Sequence, residues 1–471
     1  MDTIPPGLKQ AQEHAARFLL GLRERPVRAQ AGLLELRAAL GGALPEQGID
    51  AARVVEELAR GAEPGLIASA GPRYFGFVIG GGLPAALAAD WLAAAWDQDA
   101  GLYACGPSAA VVEEVAAGWL LELLGVPPGS SVGFVTGGQM ANFTGLIAGR
   151  HAVLKRAGWD VEEDGLSGAP PVNLVIGAEA HVTIRTSLRM LGLGSRGVKL
   201  VDADAQGRMR ADALRSVLAS CQGPTIVCAQ AGNVNSGAFD PFEEIVPLVR
   251  ERDAWLHVDG AFGLWAAATP AMRHLVKGVE GADSWATDAH KWLNVPYDSG
   301  IAIVKDPAAQ RAPFGATASY LVQTRGKERD PQEFVPEFSR RARGFAVYAA
   351  LRSLGRRGVA DLVERCCRLA RRMAERLSGA PGVRILNDVV LNQVLARFEP
   401  ASGGDADAFT SAVIERVQRE GTCWLGGTRW HEQHAMRVSV SNWSTTDEDI
   451  DRSAAAILEA ARAEMQERKT S

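Results

Sequence analysis

Apolar residues recur along this chain in two rhythms. Over residues 1 to about 85 they fall on one helical face, which predicts amphipathic helices, followed by a loop-like stretch around "GPRYFGFVIGGG". A further helix is predicted from about Pro84. Another, "SAAVVEEVAAGWLLELLGV", ends at Pro127 and Pro128, because proline cannot continue a helix. From about 130 to 305 the texture changes to short apolar runs: "SVGFVTGG", "VNLVIGA", "GVKLVDA", "PTIVCAQ", "AWLHVDG" and "SGIAIVK". Helical segments separate them. That alternation predicts an α/β fold with a mainly parallel sheet and crossover helices on its faces. The segment "VQTRGKERDPQEFVPEF" is polar and proline-bearing and predicts a mobile loop. A long helix is expected over about 340–378, and then strand-like "VVLNQVLARF" and "AMRVSVSNW" flank helical "DAFTSAVIERVQREG". The expected organisation is an N-terminal helical dimerisation segment (1–85), a large ligand-binding domain (86–345) and a small C-terminal α/β domain (346–471).

Composition narrows the function classes. The chain has 471 residues, 47% of them hydrophobic, ample for a large core. Its net charge of -5, with no dense Lys/Arg run, argues against a nucleic-acid partner. Cys105, Cys221, Cys228, Cys366, Cys367 and Cys423 have no paired-ligand spacing and read as reduced thiols rather than a disulfide frame or metal site. The first twenty residues carry acid and proline early and lack a signal-peptide core. The apolar run "LPAALAADWLAAAWDQDAG" is broken by Asp90 and is too short to span a bilayer, so it reads as a buried helix. A cytoplasmic protein without a membrane partner is expected.

Ligands of parallel α/β sheets sit outside the carboxyl ends of the strands. The run "FVTGGQMANFTGL" leads through Gly137 and Gly138 into a helix beginning near Gln139, which is either a phosphate cradle at a helix N-terminus or an ordinary strand-to-helix turn. His181, in "VIGAEAHVTI", opens a helix and can lie flat on an aromatic ligand or simply start the helix. Asn233 and Asn235, in "AGNVNSGAFD", are ligand donors or turn residues. Asp259 ends "AWLHVD", where a carboxylate needs a partner: a protonated ring nitrogen, a cap or a salt bridge. Lys291, in "TDAHKWLNVPYDSG", sits beside His290 among apolar neighbours; burial would favour its neutral, nucleophilic form, whereas a snorkelling stem would not. Together these residues meet the needs of pyridoxal 5'-phosphate: phosphate, flat ring, pyridinium and aldehyde.

The motifs "TGGQMANFTGL", "AEAHVTI", "GNVNSGAFDPF", "HVDGAFG" and "DAHKWLNVPYDSG" resemble the group II pyridoxal-phosphate-dependent decarboxylases, which include aromatic-L-amino-acid and glutamate decarboxylases. The resemblance spans about Gly71 to Trp443. It implies fold type I with a mainly parallel seven-stranded sheet, an intertwined homodimer, and α-decarboxylation of an L-amino acid to an amine. It also implies that Lys291 forms the Schiff base, Asp259 bonds the pyridine nitrogen and His181 stacks on the ring. Gly138 and Gln139 would lie at the phosphate, His290 near the phosphate or the Schiff base, and Asn235 among the cofactor contacts.

Two departures bear on outcome and specificity. Family members place a tyrosine in a mobile loop over the site; the corresponding loop, taken as 322–338, has none, and Phe334 is its nearest aromatic. A phenylalanine there resembles enzymes that convert amino acids oxidatively to aldehydes. In "WDQDAGLYACGPS", Asp97, Asp99 and Gly101 either make a polar pocket or face solvent and cap a helix. Arg340, Arg341 and Arg343 either bind a substrate carboxylate or cofactor phosphate, or start a solvated helix; His431 and His434 read as a turn. The alternatives to decarboxylation are oxidative deamination, C–C cleavage or transamination on the same scaffold. A nicotinamide oxidoreductase is disfavoured because the strand-to-helix run "FVTGGQMANFTGL" is not a G-x-G-x-x-G fingerprint, and a non-catalytic assembly protein by the polar groups at five strand ends.

Overall fold

The computed structural model describes residues 4–315, 328–401 and 403–470. They form two compact units: Gly80–Arg371 with Leu386–Leu395, and Met1–Ile79 with Arg372–Ile385 and Ala396–Ser471. The first 79 residues thus group with the C-terminal part of the chain, and helix Gly344–Ser378, interrupted at Gly355 where φ is 60°, is divided between the units.

The larger unit holds a seven-stranded sheet. Its strands are β1 (Ser131–Val135), β2 (Asn173–Gly177), β3 (Lys199–Val201), β4 (Thr225–Gln230), β5 (Trp255–Asp259), β6 (Ser284–Asp288) and β7 (Gly300–Val304). Their spatial order is β1-β7-β6-β5-β4-β2-β3. β2 to β6 run parallel, while β7 is antiparallel to both β1 and β6. Every residue of β1, β4, β5, β6 and β7 is buried, which is why these strands show no alternation of apolar and polar positions.

Register sets the site. Gln230 pairs with Asp259 and Asp259 with Ala286, so β4, β5 and β6 end close to one level. Gly300 pairs with both Asp288 and Val135, which brings the end of β1 to the same edge. Helix Gly138–Arg156 follows β1 and packs across β5, β6 and β7. Gly145 and Gly149, one turn apart on this helix, allow the approach: a Cβ at Gly145 would come within 2.7 Å of the His257 ring, and one at Gly149 within 2.8 Å of the Trp255 ring.

A second, four-stranded sheet is formed by β8 (Val383–Ile385), β9 (Gln393–Phe398), β10 (Gly426–Trp430) and β11 (Gln433–Ser439), in the order β10-β11-β9-β8; all of it but Gln393–Leu395 belongs to the smaller unit. The expected helix after β9 is Ala406–Glu420, capped by the Asp405 carboxylate and ended by Gly421 at φ 86°. His431 and Glu432, both at positive φ, form the two-residue turn between β10 and β11, so the "HEQH" run is a hairpin. The N-terminal segment is bound into this unit by its backbone. Val27 N–H donates to Gly421 O (2.8 Å) and Phe75 N–H to Trp424 O (2.7 Å).

Candidate active site

At the end of β6 the chain turns sharply and aims three polar side chains at one place. Asp288 is 1% exposed. Lys291 Nζ lies 2.9 Å from its Oδ2, and His290 Nε2 lies 3.3 Å from its Oδ1. The backbone N–H of Ser299 donates to His290 Nδ1 at 3.1 Å, so a neutral His290 carries its proton on Nε2, facing Asp288. Burial lowers the His290 pKa below the usual histidine value, against the pull of Asp288. Tyr297 stacks on the imidazole at 4.3 Å. Trp292, Leu293 and Val295 are buried in the core. The apolar flank of Lys291 is therefore core packing, and its amine is ion-paired with Asp288 rather than surrounded by apolar groups, contrary to the expectation from sequence.

Gly138 and Gly300 are required by crowding around that same turn. A Cβ on Gly138 would lie 2.7 Å from Asp288 Oδ2, and one on Gly300 would lie 2.4 Å from Gly137 Cα. Helix Gly138–Arg156 has no side-chain cap, so its first-turn N–H groups point outward from the β1 end with the positive end of the helix dipole. Gln139 directs its side chain elsewhere, donating to Ser187 Oγ at 3.1 Å.

Asp259, 5% exposed, ends β5 and lines a small cavity with His181, Ala229, Gln230 and Met209. Its Oδ1 accepts from Ala261 N–H and its Oδ2 from Asn142 Nδ2, each at 3.2 Å. These two donors leave the carboxylate further acceptor capacity. His181 caps helix Val182–Met190: Thr183 N–H donates to Nδ1 at 3.4 Å, with Thr183 Oγ1 at 2.8 Å. Asn142 also donates to Thr183 Oγ1, at 3.3 Å, and so joins the support of His181 to that of Asp259. Asn233 Oδ1 accepts from the N–H groups of Asn235 (2.8 Å) and Ser236 (3.2 Å), which is turn chemistry. Neither asparagine lines the cavity between His181 and Asp259.

The remaining candidates have structural partners. Asp97 ends helix Pro84–Trp96 in the left-handed conformation, and Asp99 Oδ1 accepts from Gly101 and Arg340 N–H groups. Arg340 forms a buried two-pronged pair with Glu113, Arg341 pairs with Asp90 and Arg343 with Asp298. Phe334 is 7% exposed in a short 3-10 turn (Pro331–Phe334), its ring covered by Arg329 at 4.0 Å and its carbonyl bonded by Gln310. Placing Phe334 in a mobile lid is corrected by this packing. Residues 322–327 of the expected loop lie outside the described residues.

Asp288 and Asn142 are the site residues that sequence reasoning missed. Asp288 heads the same "DAHKW" run as Lys291. Asn142 lies four residues after Gly138, on the same helix face, and only that spacing signals it.

Residues 34–399 match the model of the pyridoxal-dependent decarboxylase conserved domain. The aromatic-L-amino-acid decarboxylase of Bacillus atrophaeus is 25% identical over 91% of this chain and 89% of its own. The L-2,4-diaminobutyrate decarboxylase of Rhizobium meliloti (strain 1021) is 30% identical over 80% and 75% respectively. In three dimensions the chain is similar to Oryza sativa TDC, solved with PLP and tryptamine, at a TM-score of 0.91 and 21% identity over 98% of this chain and 97% of that one. The chain belongs to the pyridoxal-dependent decarboxylase family and is an amino-acid decarboxylase that uses pyridoxal 5'-phosphate to convert its substrate to an amine and CO2.

Proposed function

We propose that Lys291, Asp259 and His181 are the chemical centre of this decarboxylase. Lys291 would hold the cofactor through its aldehyde group, Asp259 would hold the ring nitrogen and its proton, and His181 would support the flat ring. The observation carrying this reading is the register that levels the ends of β1, β5 and β6. It sets an uncapped helix start, an ionised carboxylate and an amine along one sheet edge. That donor set fits the cofactor part for part: helix N–H groups for a phosphate dianion, a buried carboxylate for a pyridinium, an imidazole for a flat ring and an amine for an aldehyde. When bound, pyridoxal 5'-phosphate supplies the electron sink that takes up the electron pair left as CO2 departs.

The chain's own residues do the rest. Lys291 must lose a proton before its amine can act as a nucleophile, and Asp288 Oδ2, at 2.9 Å, is a base within hydrogen-bonding distance. His290 stays neutral, held by Ser299, and presents Nε2–H towards Asp288. Gly138 and Gln139 contribute backbone N–H groups at the phosphate end, and Asn235 acts through the turn after β4. Borohydride reduction of the holoenzyme followed by peptide mapping tests the assignment. The cofactor mass is expected on the peptide bearing Lys291, and its appearance on another lysine would refute the reading.

The amine is the expected product with Phe334 in place, because that ring is packed beneath Arg329 and takes no part in proton transfer. Phe334→Tyr should leave the amine-to-aldehyde ratio and oxygen uptake unchanged. An oxygen-electrode trace that differs between the two proteins would contradict this.

The active assembly is a homodimer that covers residues 1 to about 85. Leu20 and Leu44 are 87% and 93% exposed in the single chain, and Leu34 and Leu58 are exposed with them. So many large apolar side chains on one segment call for a covering surface. Deleting the first 79 residues should give inactive, aggregated protein; an active, monodisperse monomer in light scattering would rule this out. A cytoplasmic location accords with all six cysteines being free thiols.

A further inference from the structure

A line of buried polar groups runs behind Asp259, and the steps considered so far do not use it. Trp255 Nε1 lies 2.9 Å from Ser284 Oγ, which lies 2.8 Å from His257 Nδ1. His257 Nε2 lies 2.9 Å from Asn142 Oδ1, and Asn142 Nδ2 lies 3.2 Å from Asp259 Oδ2. All five residues are buried. We propose that this relay holds Asp259 as an ionised acceptor aimed at the cofactor's ring nitrogen, with Asn142 and His257 as positioning residues. The proposal rests on the reading of Asp259 given above.

The direction of every bond follows from its ends. An indole N–H can only donate, and an ionised carboxylate can only accept. Trp255 therefore donates to Ser284 Oγ, and the serine hydrogen goes to His257 Nδ1. That leaves the imidazole proton on Nε2, donated to the Asn142 carbonyl, and turns the Asn142 amide NH2 towards Asp259. One other acceptor competes for the serine hydrogen: Gly145 O, at 3.4 Å. Choosing it would put the imidazole proton on Nδ1 and make Nε2 an acceptor, which would require Asn142 to flip. Its carbonyl oxygen would then face the Asp259 carboxylate, two acceptors with no hydrogen between them. The 2.8 Å contact and the avoided clash both select the first arrangement. Burial drives the His257 pKa down to about 3, so the ring keeps a single proton and the relay a single polarity across the working pH range.

The packing is built for this reach. Gly145 and Gly149 let the helix settle on His257 and Trp255, and that proximity brings Asn142 within bonding distance of both His257 and Asp259. The side branch from Asn142 to Thr183 Oγ1 ties the His181 cap to the same point. A buried network satisfied at each member is rigid, and its removal at one member unpairs the next.

The test compares cofactor affinity in four variants, titrating apoprotein with pyridoxal 5'-phosphate by tryptophan fluorescence and following the long-wave absorbance band of the bound cofactor. Asn142→Leu keeps the side-chain shape and deletes the donor. It is expected to weaken cofactor binding at least about tenfold, the loss of one hydrogen bond to a charged group, and to shift the band as Asp259→Asn does. His257→Leu should behave like Asn142→Leu, while His257→Gln, which can still donate to Asn142, should restore most of the loss. If Asp259→Asn weakens binding while Asn142→Leu and His257→Leu stay within about twofold of wild type, the relay is overturned and the reading of Asp259 stands. If Asp259→Asn itself stays within that range, the reading of Asp259 fails and the relay with it. Should Asn142→Leu not fold, the His257→Leu and His257→Gln pair carries the same comparison.

Discussion

Lys291→Ala should lose turnover by at least about a thousandfold, ~4 kcal/mol of transition-state stabilisation, together with the borohydride-fixable attachment of the cofactor. Lys291 carries the only primary amine in the cluster formed by Asp288, His290 and Lys291, and neither neighbour can replace it in forming a Schiff base with an aldehyde. The fold should survive. Lys291 is partly exposed, and Asp288 keeps His290 Nε2 facing its other oxygen, so the cost is about 1–3 kcal/mol for a weakened partner set. Single-turnover and steady-state rates, read beside a thermal melt, separate the two effects. Turnover at the wild-type rate in Lys291→Ala would remove the residue from the chemistry.

The second large effect is expected at Asp259. Replacement by alanine removes the charge, and replacement by asparagine should be nearly as harmful, for a reason visible in the hydrogen bonds. Ala261 N–H and Asn142 Nδ2 both donate to the carboxylate, one to each oxygen. An asparagine amide can accept at only one of those positions and sets its own N–H groups against a donor at the other. Both substitutions should slow catalysis by more than about tenfold, or 1.4 kcal/mol, and loosen the cofactor. If Asp259→Ala kept full activity, the carboxylate would be a structural cap for the β5 turn.

Much of the fold could be read from apolar runs. Six of the seven strands of the main sheet coincide with the quoted runs; the seventh, β6, runs directly into the "DAHKW" motif and is too polar to stand out. This legibility has a physical cause: strands buried on both faces are mostly apolar, and helices between them must carry a stripe. Phe334 and the arginines from 340 to 343 were not legible in the same way. Polar, proline-bearing sequence signals a loop but does not say whether a neighbour such as Arg329 will pin an aromatic ring into the core.

Sequence alone determined the residue types at the strand ends: Gly138, His181, Asp259, His290 and Lys291, each placed by its motif. A strand's carboxyl end is a position along the chain, so residues there can be named before any folding is known. Only the tertiary structure decided what those residues face. Strand register brought Asp288 level with Val135 through Gly300, which sets the Asp288–Lys291 pair beside the start of the helix that follows β1. Helix packing on two glycines brought Asn142 from β1's helix to Asp259, residues 117 positions apart in sequence. A hydrogen bond depends on distance and direction between side chains, and those are fixed by how elements pack, which no one-dimensional pattern contains.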